Sequence, residues 1–176
     1  MNISSNYFEL FQLEPVFDID LNALAERFRA VQSEVHPDRH AAGTEQEQLL
    51  AMQYSTRAND AYQCLKSPLR RAEYLLELVD EGRDFSNYTL SDGLFLTQQM
   101  ELREALGESR DIANIGELRE QVSHMLGAEQ AKFVSTYLQQ QYDTSRDCVS
   151  RMHFMHKILS EVAQRLEELE EELGDD

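Results

Sequence analysis

The chain has no tryptophan, only two cysteines, three prolines and seven glycines among 176 residues. Cys64 and Cys148 stand far apart and form no CxxC pair. A disulfide framework and a paired-cysteine zinc module are therefore excluded. Helix breakers are scarce. Val, Ile and Thr are also sparse beside Leu, Ala, Glu and Gln, a balance that favours helix over strand. No apolar run approaches the roughly 20 residues that a membrane-spanning helix needs. The opening "MNISSNYFELFQ" lacks the basic start and apolar stretch of a signal peptide, so a soluble cytoplasmic protein is expected. Positive charge is short as well: 16 basic residues face 33 acidic ones, a net charge of −17. Such a field repels nucleic-acid phosphates and anionic lipid and attracts a basic patch on another protein.

What remains is helical and divides in two. "NYFELFQL" gives a short first helix with Tyr7, Phe8, Leu10 and Phe11 on its apolar face, expected to end at Pro15. Asp20 caps a second helix, whose stripe is Leu21, Leu24, Phe28, Val31 and Val35. Pro37 stops it, because the residue before a proline is pushed out of the α region. Thr44 and Glu47 form a capping box that opens the third helix. Ser67 and Pro68 open a fourth, closed by Gly82. Residues 81–91 are polar and read as a linker. Three longer patterns follow. The first runs from Ser91 to Gly107, the second over about 114–141, and the third starts at a Thr144–Asp147 box. The third carries a heptad-like seam: Cys148, Met152, Met155, Leu159, Val162, Leu166, Leu169 and Leu173. Leu159 and Leu166 are expected to be buried. The fold class expected is all-α: a helical hairpin with short flanking helices in residues 1–80, then an antiparallel three-helix bundle in 92–176.

The tripeptide His36-Pro37-Asp38, followed by Arg39 and His40, interrupts this regularity. His36, Asp38 and His40 are metal-ligand types, yet three ligands within five residues surround one ion poorly. His36 and Asp38 also suit a base and its orienter, but no nucleophile, oxyanion site or Gly-rich phosphate loop accompanies them. A polar turn containing a breaker is the plain alternative. His153 and His156, spaced i, i+3, are a further pair able to share a metal and would join His36 and Asp38 in a metal-dependent hydrolase.

The surroundings favour a docking loop. "YFELFQLEP", "LNALAERFRAVQSEV", "HPDR" and "RANDAYQCLKSPLRRAEYLL" together resemble the J domain of DnaJ-type co-chaperones over about 75 residues. The resemblance implies that His36, Pro37 and Asp38 dock on a DnaK-type ATPase and stimulate its hydrolysis, with Arg27, Arg29 and Arg39 supplying positive charge. The physical logic agrees: Pro37 fixes φ, and a rigid loop loses little entropy on docking. Glu26 and Glu34 share the second helix with the arginines, so its basic face is thinner than J domains usually show.

The remainder is unlike the Gly/Phe-rich and zinc-binding regions of general DnaJ proteins. "RRAEYLLEL" followed by "GLFLTQQMELREALGE" resembles the HscB family, J-type co-chaperones of iron–sulfur cluster assembly. That resemblance implies two partners, the DnaK-type chaperone HscA and the scaffold IscU, with no enzymatic activity and no cofactor of its own. Helical geometry adds an independent reading. Phe95, Gln99, Leu102 and Leu106 share one face, while Leu96 and Met100 fall about 100–140° round the helix from Phe95. Apolar side chains rimmed by carboxylates are what a protein-binding surface looks like. The family's scaffold-binding face falls on Leu96, Thr97, Met100, Glu101, Glu104 and Glu108, with Phe154 from the last helix. Packing of Leu96 and Met100 on the J domain, and a core role for Phe154 and Ile158, are the alternatives.

Overall fold

A computed structural model describes residues 5–35, 43–79, 92–109 and 111–174, and among them it contains seven helices and no strand. The chain divides into two units, Met1–Glu81 and Gly82–Asp176. The expected linker, residues 81–91, lies outside the described residues.

In the first unit, α1 (Tyr7–Leu10) opens on a capping box. The Asn6 side chain accepts from the Glu9 amide at 2.9 Å, and Glu9 Oε2 accepts from the Asn6 amide at 3.0 Å. The helix ends well before Pro15. Gln12 turns left-handed at φ 52°, the Gln12 amide donates to the Glu9 carbonyl, and the Leu13 amide donates to the Phe8 carbonyl. This is a Schellman stop with glutamine at its left-handed position. Next comes α2 (Leu21–Val35), where Asp20 Oδ1 accepts from the Asn22 and Ala23 amides at 2.8 and 3.2 Å. Leu24 and Val35 are buried and Phe28 and Val31 half-buried, whereas Leu21, at the helix mouth, is half exposed.

The Thr44–Glu47 box opens α3 (Glu45–Lys66), whose buried side is small: Ala51, Ala58, Ala61 and Cys64 beside Leu65. Small residues let α2 approach closely, and Phe28 stacks on Tyr62 at 4.2 Å between ring centroids. Pro68 begins α4 (Pro68–Val79), which buries Ala72, Leu75 and Leu76. It also buries Arg71, whose Nη1 donates to the Leu65 carbonyl at 2.5 Å and so closes the end of α3.

The second unit contains α5 (Gly93–Glu108), α6 (Ile112–Leu138) and α7 (Tyr142–Gly174). The α6–α7 turn is another Schellman stop: Gln140 has φ 58°, and the Gln141 amide donates to the Thr136 carbonyl at 2.9 Å. Inside the turn, the buried Thr136 and Ser145 hydroxyls share a hydrogen bond of 2.8 Å. Because the chain reverses this early, α7 begins at Tyr142 and the Thr144–Asp147 box falls within the helix. The core joins all three helices through Phe95 and Leu102 of α5, Ile115, Leu118 and Val122 of α6, and Phe154, Met155, Ile158, Val162 and Leu169 of α7. The seam expectation shifts accordingly. Leu159 and Leu166 are only partly buried, whereas Ile158 and Val162 are fully buried. A helix flanked by two neighbours buries a stripe wider than a two-position seam.

Candidate functional site

Helix α5 is attached to its unit along one side. Asp92 caps it, its Oδ1 accepting from the Leu94 and Phe95 amides at 3.0 and 3.3 Å. Phe95 and Leu102 are buried, and Leu106 packs against the same core. The opposite side is open. Leu94 is 86% exposed, Leu96 53% and Met100 72%. Thr97, Glu101, Glu104 and Glu108 are exposed beside them, and the Thr97 hydroxyl donates back to the Gly93 carbonyl at 3.1 Å. Six of the seven residues expected on this face are therefore solvent-accessible on one helix. Leu94 was not among them. It lies about 100° round the helix from Phe95 in the direction opposite to Leu96, outside the arc that Leu96 and Met100 mark.

Phe154 stands apart from the other six. It is 8% exposed, meets Phe95 edge-on at 5.5 Å and lies under the Arg103 guanidinium at 5.4 Å. Its place is beneath the face, where it supports α5 from α7. Arg103, on the exposed surface of α5, is a second residue that the sequence pattern did not single out.

The docking-loop residues His36, Pro37, Asp38 and Arg39, with His40, lie outside the described residues. Of the two arginines expected to accompany them, Arg29 is exposed on α2. Arg27 is half-buried and turned into the fold: its Nη1 donates to the Phe11 carbonyl at 2.8 Å and also to the Gln12 carbonyl. It therefore serves the end of α1.

His153 is exposed, and His156 is half-buried with Nε2 shut away from solvent and lacking a hydrogen-bond partner. Among the described residues, no group of three His, Cys, Asp or Glu side chains gathers in a metal-binding arrangement. Burial pushes the Cys64 thiol up to about 11 and the Cys148 thiol up to about 12. Both stay protonated near neutral pH, and neither offers a thiolate as ligand or nucleophile. Among the described residues, no helix is long and apolar enough to cross a membrane.

Comparison with known proteins gives this arrangement a family. Residues 91–163 match the model of the HSCB C-terminal oligomerisation domain. A co-chaperone protein HscB homolog from Shewanella sp. (strain MR-4) is 41% identical over 166 residues, covering 90% of this chain and 95% of that one. Among solved structures, chaperone HscB from Vibrio cholerae superposes with a TM-score of 0.83 at 36% identity, over 94% of this chain and 99% of that chain. The human co-chaperone protein HscB gives a TM-score of 0.87 at 26% identity, over 94% and 84% of the respective chains. With a J domain followed by a helical bundle, and with that identity sustained over nine-tenths of its length, this chain belongs to the HscB family of co-chaperones.

Proposed function

We propose that the chain is an adaptor with two docking surfaces, one for a DnaK-type ATPase of the HscA kind and one for an iron–sulfur scaffold of the IscU kind. The first surface is the His36-Pro37-Asp38 loop with Arg39 and Arg29, carried by a J domain in residues 1–80. The second is the open side of α5, Leu96, Thr97, Met100, Glu101, Glu104 and Glu108, carried by the bundle in residues 92–176. Residues 81–91 link the two. The chain itself is not an enzyme. Hydrolysis takes place on the chaperone, which the adaptor biases toward its hydrolysing state while presenting the scaffold. A cytoplasmic setting suits both partners.

The observation that carries the reading is the exposure of Leu96 and Met100, rimmed by three carboxylates, on a helix whose other side already fills the core. Apolar groups held in water at that cost are explained by a partner that covers them. The net charge of −17 adds long-range attraction toward a basic partner surface.

The test is titration calorimetry with an IscU-type scaffold, alongside stimulation of an HscA-type ATPase. The Leu96→Ala, Met100→Ala double variant is expected to melt like the parent and to bind the scaffold about tenfold or more weakly. It should keep the stimulation that the adaptor gives alone. His36→Gln or Asp38→Asn is expected to remove that stimulation and leave scaffold binding intact. A double variant with full scaffold affinity would exclude this side of α5. Undiminished stimulation by the loop variants would exclude the chaperone docking.

A further inference from the structure

The start of α5 is held by one side chain from another helix. Arg151, on α7, is only 15% exposed, and its Nη2 donates to Asp92 Oδ2 at 2.6 Å. Its Nη1 reaches Glu129 Oε1 of α6 at 3.5 Å. Its guanidinium lies 5.5 Å from the centre of the Phe95 ring. One planar group thus meets all three helices of the bundle.

The Asp92 carboxylate divides its work. Oδ1 caps α5 through the Leu94 and Phe95 amides, and Oδ2 takes the Arg151 hydrogen bond. The cap is thereby tied to α7, and the direction in which the first turn of α5 leaves the bundle is fixed. The Phe95 amide, then Arg151, holds the Asp92 carboxyl below its usual range. Burial alone would push the Arg151 guanidinium down, but Glu129 and Asp92 outweigh it and hold it up. The ion pair therefore persists at any pH near neutrality.

We propose that Arg151 is a positioning residue for the scaffold-binding face: it sets the placement of Leu96 and Thr97 through Asp92 without touching the partner. The inference rests on the reading of α5 as the scaffold site. Three features support it. Among the described residues, the apolar attachment of α5 is confined to Phe95, Leu102 and Leu106, so its first turn is held there by one ring and one ion pair. The exposed Leu96 directly follows Phe95 in the chain. Most of the shared core, from Ile115 to Val162, comes from α6 and α7, so the unit is expected to stay folded without Arg151.

The test uses the full chain, the IscU-type scaffold and five variants. Arg151→Gln removes the charge and the fork. Arg151→Lys restores one donor. Asp92→Asn keeps the cap, since asparagine caps as well as aspartate, but weakens the pair. The Arg151→Gln, Asp92→Asn double variant shows whether the two act along one path. Phe133→Leu is the control, because it perturbs a buried α6 residue outside the core that α5 shares.

Arg151→Gln is expected to weaken scaffold binding on the order of tenfold well below its melting temperature, the scale of a coupling carried through a hydrogen-bonded network. It should speed amide exchange at Leu96 and Thr97. Arg151→Lys should recover part of both, and the double variant should be no worse than Arg151→Gln alone. Unchanged affinity in Arg151→Gln, or an equal loss in Phe133→Leu, would overturn the proposal. If the parent chain itself does not bind the scaffold, the scaffold reading falls. Exchange at Leu96 and Thr97 then decides the positioning claim alone, with acceleration in Arg151→Gln supporting it and parental rates sinking it.

Discussion

Tyr7 lies face to face with Tyr74, ring centroids 4.4 Å apart, and the Tyr7 amide donates to the Tyr74 hydroxyl at 2.9 Å. One α4 side chain thus fastens α1 by both its ring face and its oxygen. Tyr7 is the first residue of α1, so its amide has no partner within the helix. Tyr74→Phe keeps the ring and deletes the acceptor. It is expected to cost about 0.5–1.5 kcal/mol. Urea denaturation followed by the tyrosine signal of the first unit measures this, and a loss near zero would mean that water replaces the oxygen freely.

Gln12 and Gln140 occupy left-handed positions, with φ 52° and 58°, that glycine adopts without penalty. Each ends a helix by the same pair of backbone bonds. Gln140→Gly is expected to raise stability by up to about 1 kcal/mol, since the strain of an L-residue in that region is about 1–2 kcal/mol and glycine's greater unfolded-state freedom takes part of it back. The difference in thermal melting between parent and variant checks it. A lower melting temperature would show that the Gln140 side chain contributes more than its backbone costs.

These two turns also show why parts of the fold were hard to read from the chain. Helix starts are encoded in side chains that can be seen in the sequence: Asp20, Thr44 with Glu47, and Ser67 with Pro68 each stand where a helix begins. Helix stops at Gln12 and Gln140 are encoded in a backbone conformation that glutamine does not advertise, so the sequence pattern alone extends the first helix to Pro15 and starts the last at Thr144. The candidate face shows the same division. Leu96, Met100, Glu101 and Glu104 follow from the angle to Phe95, and Glu108 from the family resemblance. The burial of Phe154 and the inward turn of Arg27 depend on tertiary neighbours, Phe95 with Arg103 and the end of α1, that no single-helix pattern contains.

The width of the α7 stripe gives a quantitative prediction. Ile158 is fully buried, whereas Leu166 is partly exposed at the margin of the same core. Ile158→Ala is expected to cost about 2–5 kcal/mol and Leu166→Ala distinctly less, because a marginal site loses less area and water fills what is vacated. Chemical denaturation of both variants decides the order. Equal losses would restore the two-position seam.

His156 contributes a pH dependence to the second unit. Burial, then the neighbouring His153, lowers its pKa from the ordinary histidine value of 6.5, and its Nε2 has no hydrogen-bond partner. Folding therefore favours the neutral ring. Above the unfolded value neither state is charged and the shift has no effect. As pH falls below it, the unfolded chain takes up a proton that the folded chain refuses, and stability declines until the folded pKa is passed. Melting temperature is expected to drop between neutral pH and about pH 5, around and below the unfolded histidine value. His156→Gln should flatten that slope. An unchanged slope in the variant would move its origin to other groups.

Arg27 offers a choice between two roles for a residue on the helix that precedes His36-Pro37-Asp38 in the sequence. Its guanidinium donates to the Phe11 and Gln12 carbonyls at the end of α1, where the helix leaves its carbonyls unpaired. Hydrogen bonds to a charged donor are worth about 1.5–3 kcal/mol, so Arg27→Ala should destabilise the first unit by about that amount. Arg29, two residues on, is exposed. Arg29→Ala should change stability by about 0.5 kcal/mol or less, as surface substitutions do. If its charge meets the chaperone, its effect belongs on association, measured as a weaker and less salt-dependent stimulation of the ATPase. Arg27→Lys separates the cases further. A lysine keeps the charge but not the fork that reaches two carbonyls, so it should restore chaperone steering without restoring full stability. Thermal melts and ATPase stimulation on the three variants decide between the roles. Arg27→Ala with parental melting and lost stimulation would place Arg27 on the docking surface after all. Lowered melting, with normal stimulation at temperatures where the variant is folded, would leave Arg29 and Arg39 as the positive charges available there.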